Sequence, residues 1–391
     1  MIGEGISKKS KHTFGLLYIS SFVLSFHHFF VVYMNSSYIS TIVGERYVGL
    51  VYIVGSILGI ISLLFVSKIL RRFGNYNTLV TVTIGEFLIF VSLAFFKSPY
   101  IIIPMFLLNG VALALILFNF DVFLEEYTKV ESETGEIRGA FLTVANVALI
   151  LAPLLSGLIL TDGNYWKIYL ISSMFLIPFL VLIRGFKNFK DPEYHDMQIK
   201  STLLCISGRK NLFNIFMAQF LMRLFFSWMV IYMPIYLHTY IGFTWTEIGL
   251  MTALMLIPYV LIEYPAGKIA DDYLGEKELL IAGFIITGIS TYLLSFVLSG
   301  SFLVWTVMLL LTRAGASLIE IMTESYFFKH VDGSDNNTIS FFRITRPFAY
   351  IIGPLLGTIA LLFLDMQYIW IVLGAIVLLG LINASQIEDT R

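Results

Sequence analysis

Charged residues are scarce in this chain. Asp, Glu, Lys and Arg make up only 13% of its 391 residues, whereas 58% are hydrophobic and 16% are aromatic. A water-soluble protein of this length cannot bury so much apolar surface. The net charge of −1 also excludes the concentrated excess of Lys and Arg that a nucleic-acid partner requires. The composition therefore predicts a membrane protein that binds no nucleic acid.

Cysteine and the usual catalytic motifs are almost absent. The single cysteine, Cys205, cannot form an internal disulfide. The sequence has no mid-span aspartate pair, no His-Glu-x-x-His helix and no Walker-type phosphate loop. His27 and His28 are adjacent and point about 100° apart on a helix, which does not suit a two-ligand metal site. We therefore expect neither an enzyme nor a resident cofactor or metal.

Long apolar runs dominate the rest of the chain. A run of about 20 residues is enough to cross a hydrocarbon layer of ~30 Å as a helix, which satisfies its own backbone hydrogen bonds there. Twelve such runs are numbered here as spans 1 to 12, at residues 14–34, 47–66, 78–96, 100–120, 139–160, 165–183, 212–237, 244–264, 279–298, 302–323, 341–364 and 367–383.

The longest polar segment, residues 184–210, lies between spans 6 and 7. It divides the chain into two sets of six spans, and such repetition is typical of secondary transporters. The pattern predicts an all-α membrane protein with 12 transmembrane helices in two pseudo-symmetric six-helix bundles. The predicted bundles are residues 1–183 and 211–391, with 184–210 as a linker.

The distribution of cations predicts the orientation. If both termini are cytoplasmic, then Arg46, Lys97 and Lys167 fall in outer loops, and most of the other Lys and Arg residues fall in cytoplasmic segments. The first run, 14–34, is too long for the core of a signal peptide, so we interpret it as a retained span. We expect a multi-pass protein of the plasma membrane with both termini and the linker inside.

Corresponding segments of the two halves resemble each other. A short loop follows span 2 at Ser67–Gly74, and a similar loop follows span 8 at Gly267–Lys277. Span 5 contains Ala-Pro-Leu-Leu-Ser-Gly at 152–157, and span 11 contains Gly-Pro-Leu-Leu-Gly at 353–357. Proline and small residues within a helix permit bending and close packing. These pairs indicate an internal repeat.

The loop after span 8 resembles the signature loop of the major facilitator superfamily. Gly267-x-x-x-Asp271, followed by Gly275 and Lys277, matches the family pattern apart from one extra residue before the second glycine. The copy after span 2 departs from the pattern, because Arg71 stands where the signature has aspartate and the leading glycine is also replaced. With the twelve spans and the long central linker, the resemblance covers essentially the whole chain.

A second motif lies in span 5. The run Ala148-x-x-x-Ala152-Pro153-x-x-Ser156-Gly157 is similar to a softened form of the motif that this family associates with proton-driven export. Ordinary helix packing also produces stripes of small residues, so both interpretations stay open.

The resemblance implies alternating access, in which two six-helix bundles rock about a central cavity lined by spans 1, 4, 7 and 10, and it implies a monomer. Arg71 is expected to need a counter-charge such as Asp121, and Asp271 is expected to pair with Arg138 or a helix N-terminus. The residues expected to act in gating are Asp271, Gly267, Gly275, Arg138, Arg71, Asp121, Pro153 and Pro354.

Ionisable side chains within the spans are costly and are candidates for function. Their spacings place several of them on one helical face: Arg313, Ser317, Glu320 and Glu324 in span 10, Gln219, Arg223 and Ser227 in span 7, and Ser21, Ser25 and His28 in span 1.

The functional interpretation of these stripes is a substrate cavity with a proton site, because arginine suits carboxylate or phosphate and His or Glu can carry a proton. The alternative is a structural ion-pair network in which Glu320 and Glu324 neutralise both arginines. The assigned roles are substrate binding by Arg223, Arg313, Gln219 and Ser25, and proton coupling by Glu320 and His28.

Three other groups have less specific roles. Glu86 of span 3 is expected to form a helix-packing hydrogen bond, since the family arrangement puts this span at the periphery. Glu263, near the end of span 8, is expected in gating. Arg343 and Arg346 at the start of span 11 either gate or extend toward headgroups.

The sequence leaves three functions to compare. The first is proton-coupled export, by antiport, of a small organic molecule. The second is proton-coupled uptake of an organic anion, which the two mid-span arginines favour. The third is a non-transporting membrane sensor, although a sensor usually adds a soluble domain. The expected partners are a small-molecule substrate, protons and lipid.

Overall fold

The computed structural model describes residues 8–128, 134–161, 163–194, 208–331 and 336–388. Within these residues all regular secondary structure is helical. The helices of the first half are Lys8–Val32 and Asn35–Val43 in span 1, followed by Glu45–Phe73, Asn75–Phe95, Pro99–Thr128, Thr134–Ile159 and Tyr165–Leu182, with a 3-10 turn at Ile183–Phe186.

The helices of the second half are less regular. Span 7 is Lys210–Ile235, and a π-helical turn, Tyr236–Ile241, extends it. Span 8 is divided into Trp245–Met255, Ile257–Leu261 and Glu263–Ile269, followed by a π-helical turn at Ala270–Leu274. The remaining helices are Glu276–Leu293 with a 3-10 turn at Leu294–Phe296, then Phe302–His330, Asn336–Phe363, Ile369–Leu378 and Gly380–Gln386.

Every predicted span coincides with a helix. Eleven helical segments are long and apolar enough to cross a membrane, and a shorter apolar helix, Thr143–Ile159, occupies the position of span 5. The helix ends differ more than expected. Span 10 continues to His330 and span 1 continues to Val43 after a turn at Tyr33 and Met34. Hydrophobicity detects only the apolar part of a helix, so a polar extension that keeps its backbone bonds is not recognised.

Local sequence explains the start and the division of span 8. Thr244 and Glu247 form a capping box, with the Glu247 N–H donating to Thr244 Oγ1 at 3.3 Å and the Thr244 N–H donating to Glu247 Oε2 at 2.9 Å. Pro258 lies in the first turn of the short helix Ile257–Leu261. Because proline lacks an N–H, the helix is interrupted just before it.

Contacts divide the chain into two compact units. Unit 1 comprises Met1–Met34 and Ile57–Asp196, and unit 2 comprises Asn35–Ser56 and Met197–Arg391. The last part of span 1 and the first part of span 2 therefore belong to unit 2, where the helix Asn35–Val43 packs on span 7.

The same pairs of helices pack in each unit. In unit 1, span 1 contacts spans 5 and 6, and span 3 contacts spans 4 and 6. In unit 2, span 7 contacts spans 11 and 12, and span 9 contacts spans 10 and 12. Each span of the first half corresponds to the span numbered six higher in the second half. The two halves therefore repeat one packing arrangement, as the repeated loops predicted.

Glycines at the crossing of spans 9 and 10 allow these two helices to approach very closely. A Cβ on Gly315 would lie 2.6 Å from the backbone nitrogen of Thr287, and a Cβ on Gly283 would lie 2.9 Å from the carbonyl oxygen of Gly315. Small residues at such crossings let helix backbones pack directly in a membrane protein.

Two glycines in equivalent positions precede spans 3 and 9. Gly74 has φ 77° and ψ 158°, and Gly275 has φ 82° and ψ 173°. This region of backbone conformation is essentially restricted to glycine. Each glycine turns the chain directly into the third helix of its half, so the two loops share a conformation as well as a sequence pattern.

Candidate functional site

An ion pair between spans 7 and 10 forms the centre of the candidate site in unit 2. Arg223 Nη2 lies 3.0 Å from Glu320 Oε1 and 3.8 Å from Glu324 Oε1. The side chains of Arg223 and Glu320 are 21% and 22% exposed. The i, i+4 spacing of Glu320 and Glu324 places both carboxylates on the face of span 10 that meets Arg223. This contact confirms that the polar stripes of these two spans face each other.

Gln219 orients Arg223. The Thr323 hydroxyl donates to the Ile319 carbonyl at 2.8 Å, so it must accept a hydrogen bond from the Gln219 amide nitrogen, at 2.9 Å. The amide oxygen of Gln219 then accepts from Arg223 Nη2 at 3.1 Å and from Arg223 Nε at 3.2 Å. Arg223 is therefore held on two sides, by a carboxylate and by an amide. We call Gln219, Arg223, Glu320, Thr323 and Glu324 the Arg223 cluster.

Glu263 adds a further carboxylate to this region. It lies within electrostatic range of Glu320, Glu324 and Arg223. Three carboxylates thus surround the single guanidinium of Arg223. Like charges in a site of low dielectric disfavour simultaneous ionisation. The arrangement therefore suits the binding of a proton or of another cationic group.

Arg313 is not part of that ion pair. It is fully buried, and its Nε, Nη1 and Nη2 have no hydrogen-bond partner among the described residues. Its guanidinium carbon lies 5.1 Å from the ring centroid of Phe225 and 4.9 Å from that of Phe226. Cation–π contacts of this kind stabilise a charge only partly. The interpretation that Glu320 and Glu324 neutralise both arginines is therefore wrong for Arg313 and right for Arg223.

Span 11 contributes Tyr350 to the same region. Tyr350 is within electrostatic range of Arg223 and Arg313, and its hydroxyl forms a side-chain hydrogen bond with Arg346. Ser56, at the start of unit 2, donates to the Tyr350 carbonyl at 3.2 Å. The side chain of Arg343 lies outside the described residues.

The predicted residues of span 1 lie in the other unit. Ser25 and His28 are half-buried, and the ring of His28 packs at 5.1 Å from that of Phe29. Neither belongs to the Arg223 cluster. Their roles in substrate binding and proton coupling stay predictions.

The adjacent His27 makes more extensive polar contacts. His27 Nε2 lies 3.6 Å from Glu86 Oε1, and the Ser172 hydroxyl lies 2.8 Å from His27 Nδ1. Glu86 also accepts a hydrogen bond from the Asn109 amide. The expected helix-packing hydrogen bond of Glu86 is therefore present, and the Glu86 side chain is completely buried.

The loop after span 8 is tied to the end of span 10. Lys329 Nζ lies 2.7 Å from Asp271 Oδ1 and also contacts the buried carboxylate of Glu276. The partner that the sequence suggested for Asp271, Arg138, has a side chain outside the described residues, so that pairing stays a prediction. The sequence did not suggest Lys329 as the partner of Asp271 Oδ1.

The loop after span 2 is held by the linker. Asp191 Oδ1 accepts the Asn75 N–H at 2.8 Å, at the first residue of span 3, and the Tyr194 hydroxyl at 2.6 Å. Arg71 Nη1 donates to the Tyr194 carbonyl at 2.8 Å. Partial burial and the nearby Asp191 raise the pKa of Tyr194 above its ordinary range. A linker carboxylate thus stabilises the helix end next to a loop that has arginine in place of the signature aspartate.

The other residues expected to act in gating differ in burial. Asp121 is exposed on the helix of span 4, while Pro153 and Pro354 are buried. The Tyr232 hydroxyl donates to the Pro354 carbonyl at 3.1 Å, between spans 7 and 11. At Gly267 an added Cβ would meet only Ile321 Cγ1, at 3.9 Å. Backbone conformation therefore requires glycine at Gly275, whereas close packing does not require it at Gly267.

Sequence reasoning missed several contributors. Phe225 and Phe226 were hidden among many aromatics, and only the register of spans 7 and 10 places them against Arg313. Asn109 and Ser172 are polar residues within apolar helices, a signal that could have indicated buried partners. Among the described residues no group of three or more His, Cys, Asp or Glu side chains could hold a metal ion.

Comparison with known proteins identifies the family. The family model described as Major Facilitator Superfamily matches residues 17–246 and 215–386. No curated protein sequence matches the chain. A crystal structure of the nucleoside transporter NupG, in a mutant form, superposes with a TM-score of 0.76 over 95% of this chain and 99% of that chain, at 11% sequence identity. The structural match shows a shared fold, and the family model, which covers nearly the whole chain, shows that the chain belongs to the Major Facilitator Superfamily.

Proposed function

We propose that this chain is a proton-coupled secondary transporter of a small organic molecule, with Glu320 as the proton acceptor. Membership of the family supports transport by alternating access. The observation that supports proton coupling is the 3.0 Å contact between Arg223 and Glu320, with Glu324 and Glu263 nearby. We further propose that the chain works as a monomer of two modules, 1–183 and 211–391, in the plasma membrane with both termini in the cytoplasm.

The Arg223 cluster offers a simple coupling mechanism. When Glu320 is ionised, it occupies Arg223, and a substrate must compete with it for the guanidinium. When Glu320 takes up a proton, the pair weakens and Arg223 becomes available to a substrate group that accepts hydrogen bonds. Binding of the proton then favours binding of such a substrate, which is the sign of coupling that symport requires, whereas a cationic group that pairs with ionised Glu320 would compete with the proton, as antiport requires.

Export by antiport is the first candidate direction. It is supported by the span 5 stripe that resembles the motif of proton-driven exporters. Ala148, Ala152 and Ser156 of this stripe are buried, and the helix packs on span 1. A small-residue contact of this kind lets two helices approach closely, which suits a contact that must be maintained or released during transport.

Uptake of an organic anion is the second candidate. The specific observation in its favour is Arg313, a buried cation without a hydrogen-bond partner among the described residues. A carboxylate or phosphate of the substrate would supply the paired acceptors that a guanidinium prefers. The fold is shared with a nucleoside transporter, so nucleosides belong among the test compounds as an uncharged class that stacks on aromatic rings.

The experiment measures flux in proteoliposomes that contain a trapped pH-sensitive dye. Purified protein is offered organic anions, nucleosides and organic cations, with an imposed pH gradient of either sign. We expect one class to move with the gradient, and its direction relative to the proton distinguishes export from uptake. Glu320→Gln should abolish gradient-driven movement while leaving binding, measured by thermal shift, largely intact.

The matched control is Glu278→Gln, which removes an exposed carboxylate of span 9 outside the cluster and should transport normally. If Glu320→Gln retains gradient-driven flux, the coupling role of Glu320 is wrong. If a compound binds but none crosses the membrane under any gradient, a sensor becomes the better description.

A further inference from the structure

A fully buried imidazole and a fully buried carboxyl group face each other in unit 1. His27 of span 1 is 1% exposed and Glu86 of span 3 is 0% exposed, and the two side chains approach to 3.6 Å. Both residues lie well within their helices, Lys8–Val32 and Asn75–Phe95. Ionisable groups at such depth are rare and are usually functional.

The hydrogen bonds of His27 determine its tautomer. Nδ1 lies 2.9 Å from the Ser172 carbonyl oxygen, which can only accept. Nδ1 also lies 2.8 Å from the Ser172 hydroxyl, which already donates to the His27 carbonyl at 2.8 Å. Both neighbours of Nδ1 are therefore acceptors, so Nδ1 carries the hydrogen. In a neutral ring the other nitrogen, Nε2, is then bare and directed at Glu86.

The surroundings of Glu86 indicate how many protons the His27–Glu86 pair shares. The Asn109 amide donates to Glu86 Oε1, and Glu86 Oε2 has no hydrogen-bond partner among the described residues. A bare Nε2 beside an ionised carboxylate would place two acceptors together and leave an uncompensated charge in a dry site, which is very costly. One proton on either group removes both problems, because the pair is then an imidazolium with a carboxylate, or an imidazole with a carboxylic acid.

We propose that His27 and Glu86 form a proton-binding site, independent of Glu320, that holds one proton in the conformation described. Two further titratable side chains lie near the pair: His28 of span 1, whose ring packs against Phe29, and Tyr169 of span 6, whose ring packs against Phe90. The Phe90 ring lies 4.5 Å from that of His27 and 5.6 Å from that of Tyr169. Asn109 on span 4 is uncharged, so no described charge from that helix faces the pair.

Buried polar atoms suggest where the proton enters. Thr83 precedes Glu86 by about one helical turn, or ~5 Å, and its hydroxyl has no hydrogen-bond partner among the described residues. Asn75 Oδ1, Asn119 Oδ1 and Asn119 Nδ2 also lack a hydrogen-bond partner among the described residues. The Asn75 amide donates to the Asn119 carbonyl at 2.9 Å. Such groups require water, so the route leads from Glu86 toward the N-terminal end of span 3.

The site has two independent spectroscopic signatures. In protein labelled with 15N at its six histidines, we expect His27 Nδ1 to carry its hydrogen, while the protonation of Nε2 reports whether the imidazole or Glu86 holds the shared proton. Infrared spectra of the same sample should show either a protonated carboxylic acid that Glu86→Gln removes, or else a protonated Nε2 on His27.

The matched variants separate the pair from its neighbours. Signals are assigned with His27→Gln, and His28→Gln is the control, since it alters the adjacent imidazole and should leave both signatures in place. Glu86→Gln keeps an acceptor for Asn109 and offers a donor to Nε2, so it should fold. Bare Nε2 together with an ionised Glu86 at about pH 7 would overturn the proposal.

The claim that this proton is transported rests on the proposed function. One comparison of variants tests the proposed function and the proton-binding site separately. The dye assay is repeated with Glu86→Gln and Glu320→Gln, and the number of protons moved per substrate is measured. We expect each single variant to move fewer protons than the unaltered protein. If Glu320→Gln is normal while the proton on Glu86 or on His27 Nε2 is still observed, the proposed function fails and the site stands. If the signatures are absent while Glu320→Gln loses coupling, the site fails alone.

Discussion

At the scale of single residues, Arg313 presents a conflict between stability and function. Its guanidinium is buried without a hydrogen-bond partner among the described residues, over Phe225 and Phe226. Contact with each ring contributes about 2 kcal/mol in a desolvated site, whereas a buried charge costs several kcal/mol and here its N–H donors also lack acceptors among the described residues. A residue that binds nothing would therefore be better replaced by an apolar one.

We therefore predict that Arg313→Met raises the stability of the purified protein, by on the order of 1 kcal/mol, and removes binding of anionic compounds. Thermal unfolding with and without an organic anion measures both effects. Arg209→Met, at an exposed arginine just before span 7, is the control and should change stability little. A loss of stability in Arg313→Met with anion binding retained would assign Arg313 to the structure rather than to the substrate.

The Arg223 cluster shows what residue spacing can predict and what it cannot. The i, i+4 spacing placed Glu320 and Glu324 on one face, and the stripe of span 7 faced them as expected. Spacing could not say which arginine would pair, because that depends on the sliding register of two helices distant in sequence. The same limit hid the contact between His27 and Glu86, which join spans 1 and 3.

At the scale of elements, the glycines of the signature loop differ in what they require. Gly275 has a positive φ that other residues rarely adopt, whereas Gly267 is helical and an added Cβ there would make only an ordinary van der Waals contact with Ile321. We predict that Gly275→Ala destabilises the protein by about 1–3 kcal/mol, while Gly267→Ala is neutral or stabilising by up to ~1 kcal/mol.

Thermal unfolding in detergent compares the two variants, and flux in proteoliposomes then tests gating. A Gly267→Ala variant that unfolds normally but transports slowly would support the gating role that the family implies. Equal destabilisation by both substitutions would contradict the conformational argument.

The linker carboxylate at the start of span 3 gives a second prediction at this scale. Asp191 accepts the Asn75 N–H, and a negative charge at a helix N-terminus is stabilising. We predict that Asp191→Ala lowers stability by about 1 kcal/mol and that Glu193→Ala, an exposed neighbour, has little effect. The same unfolding measurement decides, and indistinguishable variants would show that the contact is not maintained in solution.

The positions of the membrane-spanning helices were the most predictable feature of the structure. Apolar runs located every span because a helix in lipid must be apolar along its length. The turn between Val32 and Asn35 and the breaks in span 8 were not predicted, since proline effects and polar extensions act within a run that stays apolar. Asp191 was not predicted either, because a linker carries charge for many reasons.

At the scale of the whole molecule, the repeat was readable from the sequence, whereas the packing of Asn35–Ser56 was not. Spans 1 to 6 and 7 to 12 use the same helix pairs, in agreement with the matched loops. Yet Asn35–Ser56 belongs to unit 2, although it lies in the first half of the chain. No hydrophobic pattern reports such an exchange, because it depends on side-chain fit between helices distant in sequence.

Gly49 makes that fit testable. A Cβ on Gly49 would lie 2.6 Å from the Tyr232 hydroxyl and 2.9 Å from the Pro354 carbonyl oxygen, and it would also overlap the Thr358 hydroxyl. A larger side chain must separate span 2 from spans 7 and 11. Since transport by alternating access requires contacts of the halves to form and break in turn, weakening one of them should shift the population of states.

We predict that Gly49→Val increases the rate at which a maleimide labels Thr358→Cys, in a Cys205→Ser background that removes the only native cysteine. Gly85→Val is the control, because nothing lies within 4 Å of its Cβ position, and it should leave labelling unchanged. The two variants add the same side chain to a membrane helix, so they differ only in what that side chain meets. Equal labelling in both would mean that the contact of Gly49 with Tyr232 and Pro354 does not limit access to Thr358, and the fit inferred for Asn35–Ser56 would then be wrong.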